Sequence, residues 1–175
     1  EMRKKEFGSL MKTFFIALVT LPVSLILTPF VKRKQIISSD FFCIGIDFER
    51  EPEATLAMVE ELGVERVLVR LKLWEMEKLP LLKEFLLLCH DKKVTLKILQ
   101  DREHVEDEAL LQRDLESVFS TLGEVVDIFE IGSTINRAKW GFFSVDEYGS
   151  FYKVAYSLKT SKFPHIKLVG SGVID

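Results

Sequence analysis

The side chains best equipped for chemistry gather where apolar runs stop. Asp47 and Glu49 close the run Phe41–Phe48, Arg70 and Trp74 close "RVLVRLKLW", and Gln100 and Asp101 follow "VTLKIL". A fourth run, Val125–Ile131, opens into "GSTINRAKWG", which carries Asn136, Arg137 and Trp140. Indole faces suit the apolar C–H surface of a ligand. Asn136 and Arg137 offer hydrogen bonds to a substrate. Each residue also has a plainer reading. The tryptophans pack under loops, Asn136 and Arg137 cap a loop, Asp47 caps a turn, and Arg70 belongs to a structural ion pair.

Other chemistries find little support. His90, His104 and His165 lie far apart, and no Cys/His cluster has zinc spacing, so no metal site is expected. The acidic run "DREHVEDE", Asp101–Glu108, reads as a solvated helix start, where carboxylates suit the helix dipole. Its spacing gives no regular divalent-ion pattern. Cys43 and Cys89 lie in apolar runs and are expected as buried free thiols. The formal net charge of −3 gives no basic stripe for nucleic acid. No G-x-G-x-x-G or G-x-x-x-x-G-K-[ST] follows a strand-like run, and no cofactor is implied.

The elements that must hold these residues alternate. Strand-like runs at Phe41–Phe48, Arg66–Leu73, Val94–Leu99, Val125–Ile131 and Ile166–Val173 are separated by helical patterns at Pro52–Leu62, Met76–His90, Asp107–Leu122 and Ser144 to about Thr160. Gly63 and Gly123 stop two of these helices. Ser144 and Glu147 have capping-box spacing. Such alternation predicts right-handed βαβ units and a parallel sheet. Two architectures fit, a doubly wound open sheet and a (β/α)8 barrel represented by its first five strands. A whole barrel usually needs ~250 residues, and this chain has 175. In both architectures sites form at the carboxyl ends of the strands.

Residues 1–37 form a separate segment, and 38–175 the α/β domain. Thr13–Val31 has no charge and is flanked by Arg3, Lys4, Lys5 and Lys12 before it and by Lys32, Arg33 and Lys34 after it. About 20 apolar residues span a bilayer. The segment fits an uncleaved membrane anchor, a secretory signal, or a buried core helix. The first two readings take the domain to the cell envelope or across a membrane.

The pair "ELGVERVLVRLKLWE" and "FEIGSTINRAKWG" resembles the (β/α)8 glycoside hydrolases whose catalytic glutamates lie on strands four and seven. Gly63, Arg70 and Trp74 match features around strand two of those enzymes. Glu130, Ile131, Gly132 and Asn136 match the strand-four pattern E-I-G-N-E-P-N. Ser133, Thr134 and Ile135 depart from it, and Thr134 occupies the acid/base position. The resemblance covers about residues 41–175. It implies the N-terminal half of a barrel and a carbohydrate ligand held by Asp47, Arg70, Trp74, Asn136, Arg137 and Trp140.

The chemistry limits what this resemblance implies. A retaining glycosidase needs two carboxyl groups about 5–5.5 Å apart, and threonine supplies no proton at a useful pKa. Glu130 lies four residues back on the same face, about 13 Å deeper at ~3.3 Å per residue. It is expected to pair with a cation such as Arg70 or Lys97. The strand-seven nucleophile lies beyond these residues, so no catalytic residue is assigned. Two functions follow: a glycoside hydrolase-like protein acting on or binding a carbohydrate, or a non-catalytic envelope protein that keeps the groove for binding. The chain starts at Glu1 and ends on a strand pattern, so both ends look cut. Half a barrel would expose strand edges and self-associate.

Overall fold

The computed structural model describes residues 2–30, 42–135, 141–142 and 144–172. The chain divides into two compact units, Glu1–Ile36 and Ile37–Asp175. The first holds helix α1, Met2–Leu27, and a 3-10 turn, Thr28–Phe30. Within it the 20 residues Met11–Phe30 have a mean hydropathy of 2.0 and none is buried, so this helix is long and apolar enough to cross a membrane. Pro22 sits inside it.

The second unit is a five-stranded parallel sheet with helices between the strands. Its elements are β1 Ile44–Gly45, α2 Pro52–Glu61, β2 Arg66–Lys72, a 3-10 turn Leu73–Lys78, α3 Leu79–Leu88, β3 Lys93–Leu99, α4 Arg102–Glu106, α5 Glu108–Leu122, β4 Ile128–Ile131, α6 Val145–Ser161 and β5 Leu168–Gly170. The strand order is β1-β2-β3-β4-β5, with every pair parallel.

This order decides between the two expected architectures. A doubly wound sheet reverses its strand order and covers both faces with helices. Here the order never reverses, so right-handed crossovers put every helix on one face, as in a (β/α)8 barrel. Burial along the strands agrees. Val67, Val69 and Leu71 of β2, Val94, Leu96 and Ile98 of β3, and Phe129 and Ile131 of β4 are buried. They meet Val59 of α2, Leu82, Phe85 and Leu86 of α3, Leu115, Val118 and Phe119 of α5, and Phe151, Ala155 and Leu158 of α6 in one core. The intervening residues, Arg66, Leu68, Arg70, Lys72, Thr95, Lys97, Ile128 and Glu130, keep some exposure on the opposite face. A strand covered on both faces would be apolar at every position.

Several boundaries differ from expectation. Helix α3 starts at Leu79 rather than Met76, because Pro80 suits the first turn of a new helix and Glu75 departs from helical φ/ψ. Strand β1 is two residues long, and Cys43, just before it, is exposed rather than buried; Cys89 is buried as expected. Asp107 lies outside α5 and caps it, accepting bonds from the backbone N–H of Ala109 and Leu110. Gly63 ends α2 in the left-handed region, φ 61°.

Candidate functional site

The site is built on the open face and the carboxyl ends of β1–β4. Parallel register sets Arg70, Lys97 and Glu130 side by side across three strands. Lys97 Nζ donates to Glu130 Oε1 at 2.7 Å, and the side chains are 20% and 13% exposed. The same oxygen accepts from Gly172 N at 3.4 Å. The expected partner of Glu130 is therefore Lys97, and Arg70 stands apart from the pair. A carboxylate so engaged supports the sheet and is not a free acid.

At the next level up, β3 and β4 end in a two-point clamp. The Gln100 Nε2 donates to Ser133 O at 2.9 Å, and Ser133 N donates to Gln100 Oε1 at 2.8 Å. Both residues are buried. The backbone turns sharply here, with Gly132 at φ 82° and Thr134 at φ 52°. A Cβ on Gly132 would lie 3.1 Å from the Tyr148 ring, so glycine serves both the turn and the close approach. The left-handed region is unfavourable for a β-branched residue such as Thr134. Thr134 is 3% exposed, and its Oγ1 lies 3.1 Å from Ser133 Oγ. Tyr148 ties the end of β4 to the residues after β5: its hydroxyl donates to Ile131 O at 3.1 Å and accepts from Ser171 N at 2.7 Å. Burial pushes the Tyr148 phenol above its ordinary pKa, which keeps it a donor.

The far end of the fourth loop is held from the same place. Arg102 Nη1 donates to Gly141 O at 3.0 Å and to Glu147 Oε1 at 2.9 Å, while Arg102 Nε donates to Glu106 at 2.7 Å. Gly141, at φ 99°, lies so close to Asp101 that a Cβ would stand 3.1 Å from its carbonyl. The capping box is half realised: Ser144 Oγ accepts from Glu147 N, but the Glu147 carboxylate turns to Arg102. Gln100 and Arg102, two residues apart, thus fasten both described ends of the loop. Asn136, Arg137 and Trp140 lie outside the described residues.

Behind the clamp sits a group the sequence reading passed over. His104 is 4% exposed, with Nδ1 2.6 Å from Asp101 Oδ1 and Nε2 3.1 Å from Asp114 Oδ2. Asp101 also caps α4 through His104 N. Arg113 Nε donates to Asp114 at 2.8 Å. Burial works to raise the Asp114 pKa, but the bonds from Arg113 and His104 outweigh it and hold the carboxyl below its ordinary value. The acidic run is the expected solvated helix start at Glu103, Glu106, Asp107 and Glu108, which are exposed, and His104 is the residue within it that is buried.

No protein-family model matches the chain. No curated protein is significantly similar to it either.

The remaining expected residues gather at the ends of β1 and β2. Asp47, Glu49, Arg70 and Lys72 line a cleft of about 240 Å³ with Gly45, Ile46 and Phe48. Asp47 Oδ1 accepts from Glu49 N at 3.0 Å, which is its turn-capping role. Glu49 takes Lys78 at 2.6 Å and Lys72 at 3.8 Å, and Glu75 takes the same two lysines at 2.7 and 3.1 Å. The bonds from Lys78 and then Lys72 hold the Glu75 carboxyl below its ordinary pKa. Trp74, 44% exposed, stands on the 3-10 turn beyond β2. The rim therefore offers one exposed indole, hydrogen-bonding side chains and an open cleft. Its described carboxylates all have hydrogen-bond or ion-pair partners.

Proposed function

We propose that the chain is a glycoside hydrolase-like protein that holds a carbohydrate at the carboxyl-end rim of its parallel sheet and does not cleave it. The observation that carries this reading is Thr134. The residue at the acid/base position is buried, left-handed and bonded to Ser133 Oγ. Retaining hydrolysis requires a carboxylic acid there and a second carboxylate nearby. Glu130 is committed to Lys97, and Glu49 and Glu75 share two lysines. What the rim retains suits binding: the exposed Trp74 ring for a sugar face, and Asp47 and Arg70 beside a cleft for hydroxyl groups. The family resemblance adds Asn136, Arg137 and Trp140 as ligand contacts, and these lie outside the described residues. The N-terminal apolar helix supports a place at or beyond a membrane, as an anchor or an export signal.

The test is affinity electrophoresis of the full chain in detergent through gels that contain soluble polysaccharides, with an assay for new reducing ends. The expected result is retardation by at least one polysaccharide, loss of retardation in Trp74→Ala, and no new reducing ends. New reducing ends from the purified chain would overturn the non-cleaving reading. Unchanged mobility in every polysaccharide would overturn the carbohydrate reading.

A further inference from the structure

Among the described residues that line the cleft, Arg70 is the charge without a partner. Lys72 and Lys78 are shared by Glu49 and Glu75, and Lys97 is taken by Glu130. Asp47 is engaged by Glu49 N, and Arg50 lies 4.0 Å from its other oxygen. Arg70 is exposed, lines the 240 Å³ cleft, and makes no hydrogen bond or ion pair with any described residue. The space beside it is open, because a Cβ built on Gly45 of the neighbouring strand would meet nothing within 4 Å. A guanidinium is always charged, and its planar donors match the two oxygens of a carboxylate.

We propose that Arg70 receives a carboxylate of the bound sugar, so that the ligand of this rim is a uronate-bearing oligosaccharide. This rests on the carbohydrate reading above and narrows it. A neutral sugar would leave the guanidinium without a counter-charge. A phosphate, with up to two negative charges, calls for a second cation, and the nearest one in the cleft, Lys72, is already divided between two glutamates. A singly charged carboxylate matches the one unpaired cation among the described residues of this cleft. The exposed Trp74 ring, just past the end of β2, supplies the apolar face for the same ligand.

The experiment is a calorimetric titration of the full chain in detergent at low salt with tetragalacturonate and with its fully methyl-esterified form. The two ligands have the same rings and differ in charge. The acid form is expected to bind about tenfold or more tightly than the ester, the lower end for a charged hydrogen bond. Arg70→Gln should erase that preference, while Arg70→Lys, which keeps the charge without the planar donors, should keep only part of it. Because Arg70 has no partner among the described residues, both variants should melt as the parent does. Equal affinity for acid and ester, or a preference that survives Arg70→Gln, would overturn the proposal. Binding of neutral oligosaccharides alone would overturn it and leave the carbohydrate reading standing. No binding of any sugar would overturn both.

Discussion

Gln100 and Ser133, 33 residues apart, exchange two hydrogen bonds of 2.9 and 2.8 Å at the buried ends of adjacent strands. The side-chain amide acts there as one more rung of the β3–β4 ladder and sets where the fourth loop begins. Gln100→Leu would leave a buried N–H and C=O unsatisfied. The expected cost is about 1–3 kcal/mol, read from chemical denaturation. Cleavage by trypsin after Arg137 and Lys139 should also quicken, since one end of the loop is released.

The Lys97–Glu130 pair lies near the centre of the open face. Removing one partner strands the other charge in a part-buried site. Lys97→Met and Glu130→Leu should each cost about 1–3 kcal/mol, below the range for fully buried pairs because both side chains keep some solvent. The double variant should recover much of that loss. A double-mutant cycle in urea measures the coupling, and strictly additive losses would count against it.

Thr134 carries opposed effects. Its left-handed backbone costs about 1–2 kcal/mol in a residue with a Cβ, while its hydroxyl bond to Ser133 returns about 0.5–1.5 kcal/mol. Thr134→Ala keeps the strain and loses the bond, so it should destabilise. Thr134→Gly loses the bond but relieves the strain, so it should melt above the alanine variant. The order of the two melting temperatures is the check.

Asp114 gives the junction behind the clamp a pH dependence. Its folded pKa lies below the unfolded value, so its contribution is present above the unfolded pKa, about 4, and is lost as pH falls through the lower folded value. The parent should lose stability over that acid range. In Asp114→Asn that part of the loss should disappear, at the cost of lower stability near neutral pH. Urea midpoints between pH 2 and pH 7 read the difference.

Much of the fold was legible because helix and strand periods alternate cleanly from Pro52 to Thr160. The sequence left the doubly wound sheet and the barrel order both open; the alternation of Val67, Val69 and Leu71 with Arg66, Arg70 and Lys72 in "RVLVRLKL", which a doubly covered strand would not tolerate, carried the choice without its being drawn there. Strand limits were overdrawn at β1, β4 and β5, because apolar residues such as Phe48, Val125 and Ile166 continue where the ladder does not. Cys43 was misplaced for that reason. At the site, Glu130 finding a cation followed from its place on the strand. The Gln100–Ser133 clamp depends on strand register, and the His104–Asp114 contact on how α4 and α5 meet, so local patterns hold neither. Threonine gives no sign of a positive φ, and the strain at Thr134 had no signal in the sequence.

The chain has two tryptophans, Trp74 and Trp140, and the carbohydrate reading assigns both to the binding rim. Emission from the full chain, titrated with acidic and neutral oligosaccharides and repeated in Trp74→Phe and Trp140→Phe, tests that reading most directly. It predicts a saturable change that persists in part when either indole is removed. Emission unchanged by every sugar in all three proteins would contradict it.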